Sequence, residues 1–535
     1  MEILILLAHR EGQYKCNLNQ INEFYKKSTN ADTFNIEKFA DFQRAFKDCD
    51  SIGKCSILAQ IAVNSYLLYD NVKDILRDRE YYKKILNFMI KYSGRNIYKD
   101  VNVLHQFINH NNAYFYSYQD LSNVELFKLI AELQVKLCPD LLYDCVKVPR
   151  KINPKRPIKV GFVSDFINSL HSVTKDRLGI IKHLYNDLDF DVKIMSRKSE
   201  TDIFFNNVVF DNIDTEKLIV KMDSEDLVKN RTQIAEQNFD IIVYPEIGMC
   251  PRNRWIAFSR LAPIQINTWG HSDTSGLPNI DYFVSSKYFN SPEDQEHYSE
   301  KLILFNSLGT YYYNICKFLE MTEFMNNDPE IFRNKVIEKT GVKNPNIYGC
   351  IQIFFKMHPV FVKMLDNILK MDPNGVIVLL SSEEGKPDHD RFVDYINKRI
   401  THKERLYFIY QVPFIQYACN IKNCDLILDY FPFGGFNSTI ESFALGKVCI
   451  TRPGRRISGR FTQGLYNKMG ITEFICKTDE EYVKKAVEYG TNREKREEYE
   501  NLILDKSQAI FEETESIDEW KELLKNLYKG KKLSY

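Results

Sequence analysis

Apolar positions fall into distinct textures along the chain. Between residues 13 and 146 they recur at three-and-four spacing, as in Ile57, Leu58, Ile61, Ala62 and Tyr66, and again in Tyr82, Ile85, Leu86, Phe88 and Met89. That period sets them on one face of a helix. No self-similarity of 33–47 residues accompanies it, which argues for an irregular all-α domain over a helical solenoid. Between Lys147 and Pro157 stand Pro149, Pro154 and Pro157. Helix and strand are both excluded there, and the segment reads as a linker.

Short apolar runs then alternate with helical stretches. Strands are expected at Ile158–Val163, Asp191–Met195, Asp240–Tyr244, Pro263–Asn267 and Tyr282–Val284, with helices near Lys175–Tyr185, Ser224–Asn238 and Arg252–Leu261. A second series places strands at Cys350–Phe354, Val376–Leu380, Leu406–Tyr410 and Asp425–Asp429. Its helices are Pro359–Lys370, Arg391–Ile400 and Phe414–Asn423. Two such series imply an α/β chain of two doubly wound parallel sheets with a cleft between them. From Asp479 the chain is charged and helical, and part of this tail is expected to pack across both sheets. The expected domains are 1–156 (all-α), 157–345 and 346–505 (the sheets) and 506–535 (a helical tail).

Composition narrows the class. The 535 residues suffice for about three domains, each with its own core. Lys+Arg and Asp+Glu both number 72, which removes the overall basic footprint of a general nucleic-acid binder. The 12 cysteines contain no C-x-x-C pair; Cys419 and Cys424 stand closest, and reduced thiols in a cytoplasmic protein are the expectation. The opening apolar run, Ile3–Ala8, follows an acid and is too short for a signal peptide, so it reads as a buried element. Nothing approaches the ~20 apolar residues of a membrane span.

Dinucleotide, P-loop, zincin and α/β-hydrolase signatures are absent. Asp388-His-Asp390 has the spacing of a divalent-metal triplet, but it precedes a helix and reads as capping; no metal is expected. The stretch from Asn423 to Glu441 carries more. A buried strand ends at Asp429, a loop holds Gly434 and Gly435, and a helix starts near Ser438 and stops at Gly446. Strand, glycine loop and helix N-terminus together make an anion site, with Asn437, Ser438 and Thr439 as extra donors and Glu441 within reach of a ribose diol. A capped helix that binds nothing is the alternative. Lys356 would project from the end of the Cys350–Phe354 strand and could neutralise a phosphate. Across the cleft, the loops Ser164–His171 and Gly270–Gly276 each bring a histidine, His171 and His271.

These residues resemble a family. Leu261-Ala-Pro-Ile-Gln265, Gly270-His271 with Thr274, Ile280-Asp281-Tyr282 and Tyr298-Ser-Glu-Lys-Leu302 look like the catalytic region of family 41 glycosyltransferases. That family comprises the O-GlcNAc transferases and the bacterial adhesin N-glucosyltransferases. Tyr244-Pro-x-x-Gly248-Met249, Asn423-Cys424-Asp425 and Phe431-Pro-Phe-Gly434 are nearer the bacterial branch. Thr451-x-Pro453-Gly454 with Gly459-Arg460 is nearer the O-GlcNAc branch. The resemblance runs over roughly residues 158–500.

It implies the GT-B fold, two Rossmann-like domains, with a UDP-sugar held mainly by the second. It also implies roles. Lys356 matches the lysine at the donor diphosphate, Asn437 a donor-binding asparagine, Ser438 a hydroxyl position and Glu441 the ribose-binding aspartate position. Gln411, Gly435, Thr439 and His271 complete the expected donor site. His171 matches the motif histidine of the first domain and is, with Lys356, the expected catalytic pair. Phe436 replaces a histidine of the O-GlcNAc branch. The implied reaction is inverting transfer of a sugar, glucose before GlcNAc, to a protein side chain, Asn before Ser or Thr, without metal or cofactor. The remaining alternatives are a glycan, lipid or small-molecule acceptor, and a non-catalytic scaffold that binds protein through its helical domain.

Overall fold

The computed structural model describes residues 68–102, 104, 113–146, 153, 155–167, 171–197, 213–222, 225–319 and 328–530. The opening run Ile3–Ala8, the stripe Ile57–Tyr66, Ser224 and most of the proline-rich segment lie outside them.

Two all-parallel sheets organise the chain. The first has seven strands in the order β3-β2-β1-β4-β5-β6-β7: β1 Ile158–Val163, β2 Phe190–Ser196, β3 Ile219–Lys221, β4 Ile241–Tyr244, β5 Ile264–Thr268, β6 Tyr282–Ser286 and β7 Lys301–Phe305. The second has five in the order β10-β9-β8-β11-β12: β8 Asn346–Cys350, β9 Gly375–Ser381, β10 Leu406–Tyr410, β11 Leu426–Leu428 and β12 Cys449–Ile450. Strand order reverses between β1 and β4 in one sheet and between β8 and β11 in the other. Open α/β sheets bind ligands outside the carboxyl ends of strands at such a reversal. The central strands are apolar throughout because helices cover both faces, as in β9, where all seven residues are buried.

Three strands, β3, β7 and β12, escape the sequence pattern; β3 and β12 have only three and two residues. The expected strand Cys350–Phe354 is misplaced. The paired strand is Asn346–Cys350, and Phe354–Lys356 form a 3-10 turn. The apolar run continues past the sheet because Ile351 and Phe354 are core residues of the turn, so alternation does not mark where pairing ends.

Helix starts follow local chemistry. Asp226 caps Leu227–Glu236 through the N–H groups of Val228 and Lys229. His358 caps Pro359–Met371, whose first residue is proline. The helix at Asp388–Asp390 begins earlier than expected, at Pro387.

The cores explain the connectivity. Tyr82, Ile85, Leu86 and Met89 on the helix Val72–Tyr92 meet Phe127, Ile130 and Leu133 on the helix Val124–Leu137, and both pack against Trp255, Ile256 and Leu261 of the first sheet's cover. The helical region therefore shares its core with that sheet. The other face is covered by Leu178, Ile181 and Leu184, together with Trp520, Leu523, Leu524 and Leu527 of the helix Thr514–Tyr528. Helix Asp479–Thr491 packs Tyr482, Val483 and Ala486 on the second sheet. The tail thus crosses both sheets, as its sequence suggests.

Candidate functional site

The loop after β11 is built around the buried carboxylate of Asp429. Its Oδ1 accepts from Gln352 Nε2 at 3.0 Å and from the N–H of Gly435 at 2.8 Å, and its Oδ2 accepts from Thr451 Oγ1 at 2.8 Å. Burial raises its pKa, and these donors oppose the rise. Side chains crowd both glycines. A Cβ at Gly434 would stand 2.7 Å from Asp429 Oδ2, and one at Gly435 would stand 2.2 Å from Ser438 Oγ. The loop delivers the chain to the helix Asn437–Ala444, which has no side-chain cap. Its first-turn N–H groups have no acceptor within the helix and face the β8/β11 crevice with the positive end of the dipole. Thr439 Oγ1 donates to Gly435 O and meets Thr462 Oγ1 at 2.8 Å, so this hydroxyl braces the loop.

Lys356 lies on the 3-10 turn after β8. Its Nζ donates to Gln352 Oε1 at 2.8 Å and to Gly434 O at 3.4 Å, and it lies 4.5 Å from the centre of the Phe433 ring. Burial lowers the ammonium pKa to about 8, with Asp429 opposing the fall. A half-buried cation beside a glycine loop and a helix N-terminus suits a diphosphate.

The first sheet supplies the facing edge. His171 caps the helix Ser172–Tyr185, its Nδ1 accepting from the N–H of Val173 at 3.3 Å and its ring stacked 4.2 Å from Phe166. One turn on, Lys175 reaches across the cleft and its Nζ donates to Glu441 Oε1. Tyr312, after β7, also donates to that oxygen, at 3.4 Å. Glu441 is thus engaged by two residues of the first sheet's half.

Asp165, after β1, is held by Arg252 and Arg197. Burial acts to raise its pKa, but these two cations hold the carboxyl below the usual range. Glu246, after β4, is fully buried and bonded by Asn253 Nδ2 at 2.8 Å. Burial pushes its pKa up to about 8.

His271 does not open onto the cleft. It is 3% exposed, lies 4.8 Å from the Tyr114 ring, and its Nε2 meets Ser117 Oγ at 3.2 Å. Burial, aided by Arg254, drops its pKa to about 3, so the ring is neutral. The two histidine loops are not neighbours either, because β4 separates β1 from β5.

The helical region also enters the site. Ser117 Oγ and Asn123 Nδ2 donate to Asp273 Oδ2 in the first half. Tyr118 packs 4.6 Å from Phe433 and 5.6 Å from Phe355 in the second. Asp120 Oδ1 accepts from the N–H groups of Arg455 and Arg456 at 2.7 and 3.2 Å. Residues 114–123 thus strap the two halves together over Lys356. The signal was the run Tyr114-Phe-Tyr-Ser-Tyr118, too dense in aromatics for one buried helix face.

Gln411 is exposed at the end of β10, the edge strand of its sheet. Asp388 and Asp390 are exposed in the first turn of the helix Pro387–Asn397, a stabilising place for carboxylates. Among the described residues, the buried polar atoms without a hydrogen-bond partner include Asn437 Oδ1, Asn267 Nδ2 and Trp269 Nε1. Such an atom costs about 1–3 kcal/mol, so a polar ligand gains most by meeting it.

Residues 337–512 match the sequence profile of glycosyl transferase family 41. The chain is 26% identical over 277 residues to a UDP-glucose:protein N-beta-glucosyltransferase of Actinobacillus pleuropneumoniae serotype 5b (strain L20), covering 51% of this chain and 42% of that protein. It is 23% identical over 351 residues to the probable UDP-N-acetylglucosamine--peptide N-acetylglucosaminyltransferase SPINDLY of Arabidopsis thaliana, covering 64% and 36% respectively. The chain therefore spans less than half the length of these relatives. Its fold is shared with a Thermobaculum terrenum O-GlcNAc transferase mutant at TM-score 0.58 and 16% identity, over 96% of this chain and 98% of that one. The two-sheet arrangement is the GT-B fold.

Proposed function

We propose that this chain, whose second half carries the family 41 profile on a GT-B fold, is an inverting glycosyltransferase that moves a sugar from a UDP-sugar to a protein side chain. The observation that carries this is the β8/β11 crevice. There Lys356, the glycine cradle at Gly434 and Gly435 and the helix end at Asn437–Thr439 converge where a diphosphate would sit. A nucleophile on the acceptor attacks the anomeric carbon as the bond to UDP breaks, and negative charge grows on the departing diphosphate. Lys356 and the helix N–H groups stabilise that charge, an interaction worth most when it strengthens in the transition state. Asn437, with its unpartnered Oδ1, is proposed to bind the donor, and Glu441 the ribose. His171 is proposed to face the acceptor.

Glucose to Asn is favoured over GlcNAc to Ser or Thr, because the first relative is a UDP-glucose:protein N-glucosyltransferase and Phe436 stands where the O-GlcNAc branch resembled by this chain has histidine. Cytoplasmic location is part of the same proposal; among the described residues no helix is long and apolar enough to cross a membrane. The test is UDP release from labelled UDP-glucose and UDP-GlcNAc, with and without a peptide acceptor. Acceptor-stimulated release from one donor is the expected result. Release from neither, by a folded protein, rejects the assignment.

A further inference from the structure

Lys175 has no part in the chemistry described above, yet it makes an ion pair across the cleft. Its ammonium donates to Glu441 Oε1 and lies 4.6 Å from the centre of the ring of Phe414, the first residue of the helix Phe414–Asn423. Glu441 is 2% exposed, and the second donor to the same oxygen, Tyr312, also comes from the first sheet's half. A carboxylate offers about four lone-pair sites. Lys175 and Tyr312 take theirs on Oε1, and the lone pairs of Oε2 lie outside this contact.

We propose that Lys175 is a positioning residue for the nucleotide: from the first half it fixes the orientation of the Glu441 carboxylate, so that Oε2 is presented to the ribose hydroxyls. This rests on Glu441 being the ribose partner. Two physical arguments support it. A buried carboxylate left without a cation carries a large desolvation penalty, which the Lys175 ammonium offsets. A long Glu side chain has three rotatable bonds, and anchoring one oxygen removes the freedom that would otherwise be lost on binding. Ribose recognition by the second half thereby depends on the first half being in place.

The experiment is titration calorimetry of UDP and 2′-deoxy-UDP against the full chain, its Lys175→Met and Lys175→Arg variants and Glu441→Gln, each checked by thermal melting. The wild type should prefer UDP over 2′-deoxy-UDP by roughly tenfold or more, the usual scale of a hydrogen bond to a charged group. In Lys175→Met and Glu441→Gln the preference should fall towards one, and Lys175→Arg should restore part of it. Lys175→Gln is read in the same way if the methionine variant does not fold. A folded Lys175→Met protein that keeps the full preference overturns the inference. Wild-type protein that binds UDP without distinguishing the two nucleotides overturns both it and the ribose assignment of Glu441. Wild-type protein that binds no UDP at all rejects the proposed function itself, a separate outcome.

Discussion

Lys356 and Asp429 do not touch; the carboxamide of Gln352 stands between them, accepting from the lysine at 2.8 Å and donating to the aspartate at 3.0 Å. The cation is thereby kept near the glycine cradle without being neutralised by the buried Asp429 carboxylate.

Replacing Lys356 tests the placement of the phosphates. Lys356→Met should fold and bind UDP weakly, yet transfer sugar ~10²–10³ more slowly, the usual cost of losing one electrostatic group at a transition state. The effect should fall on kcat more than on KM. An unchanged kcat in a folded variant rejects the assignment.

Donor affinity should depend on pH through the same residue. The ammonium has a pKa of about 8 in the structure without donor, and a diphosphate raises it by favouring the charged form. Binding above pH 8 must therefore take up a proton. The affinity for UDP should be insensitive to this group below pH 8 and should weaken above it, by up to about tenfold per pH unit. Calorimetry in buffers of different ionisation enthalpy measures the proton directly. Lys356→Met should abolish its uptake.

Gly435→Ala should damage the cradle. The new methyl group would stand 2.2 Å from Ser438 Oγ, so the Ser438 side chain must turn and the start of the helix must rearrange to admit it. UDP affinity should fall with the melting temperature only modestly lowered. Wild-type affinity in this variant would show that the loop is not the phosphate site.

Deleting the helical region should do more than remove an acceptor-binding surface. Residues 114–123 bond to both halves, and the helices before and after them share a core with the first sheet. A protein starting after residue 146 should lose cooperative unfolding and bind UDP poorly. The smaller change Asp120→Ala removes the acceptor of two backbone N–H groups, one of them exposed, and should cost about 0.5–1.5 kcal/mol in chemical denaturation. A truncated protein that melts cooperatively and binds UDP normally refutes the strap.

Turnover should also survive EDTA, since a lysine and a helix end are assigned the leaving group's charge. Loss of activity with chelator, restored by manganese, would transfer attention to Asp388 and Asp390.

Much of the two-sheet body was legible because local pattern and tertiary role coincide there. Leu406–Tyr410 and Phe414–Asn423 have the bounds their periodicity gives, and the turn at Gly434 and Gly435 announces itself by composition. Two kinds of feature were not legible. The end of β8 is hidden because Phe354 is as buried in a turn as it would be in a strand. The polar contacts of the strap are hidden because Ser117, Asp120 and Asn123 act on residues more than 140 positions away. Polar residues in a helical stretch carry no periodic mark of such distant partners. His271 illustrates the converse: a histidine on a strand-end loop suggested a ligand contact, while Tyr114 and Ser117, which enclose it, come from another part of the chain.

The last helix has a consequence for anything joined to this chain. Tyr528, at its end, bonds through its hydroxyl to the backbone N–H and carbonyl of Asn153 at 3.0 and 3.2 Å. Asn153 leads into β1 at the amino edge of the first sheet, so the two-sheet body enters and leaves through one doorway, on the side opposite the strand ends that form the cleft. A fluorophore or fusion partner attached after residue 530 would therefore ride on the first half and stay clear of donor and acceptor alike. Paired with a label on the helix Arg493–Lys506, it would report opening of the two halves as a change in distance.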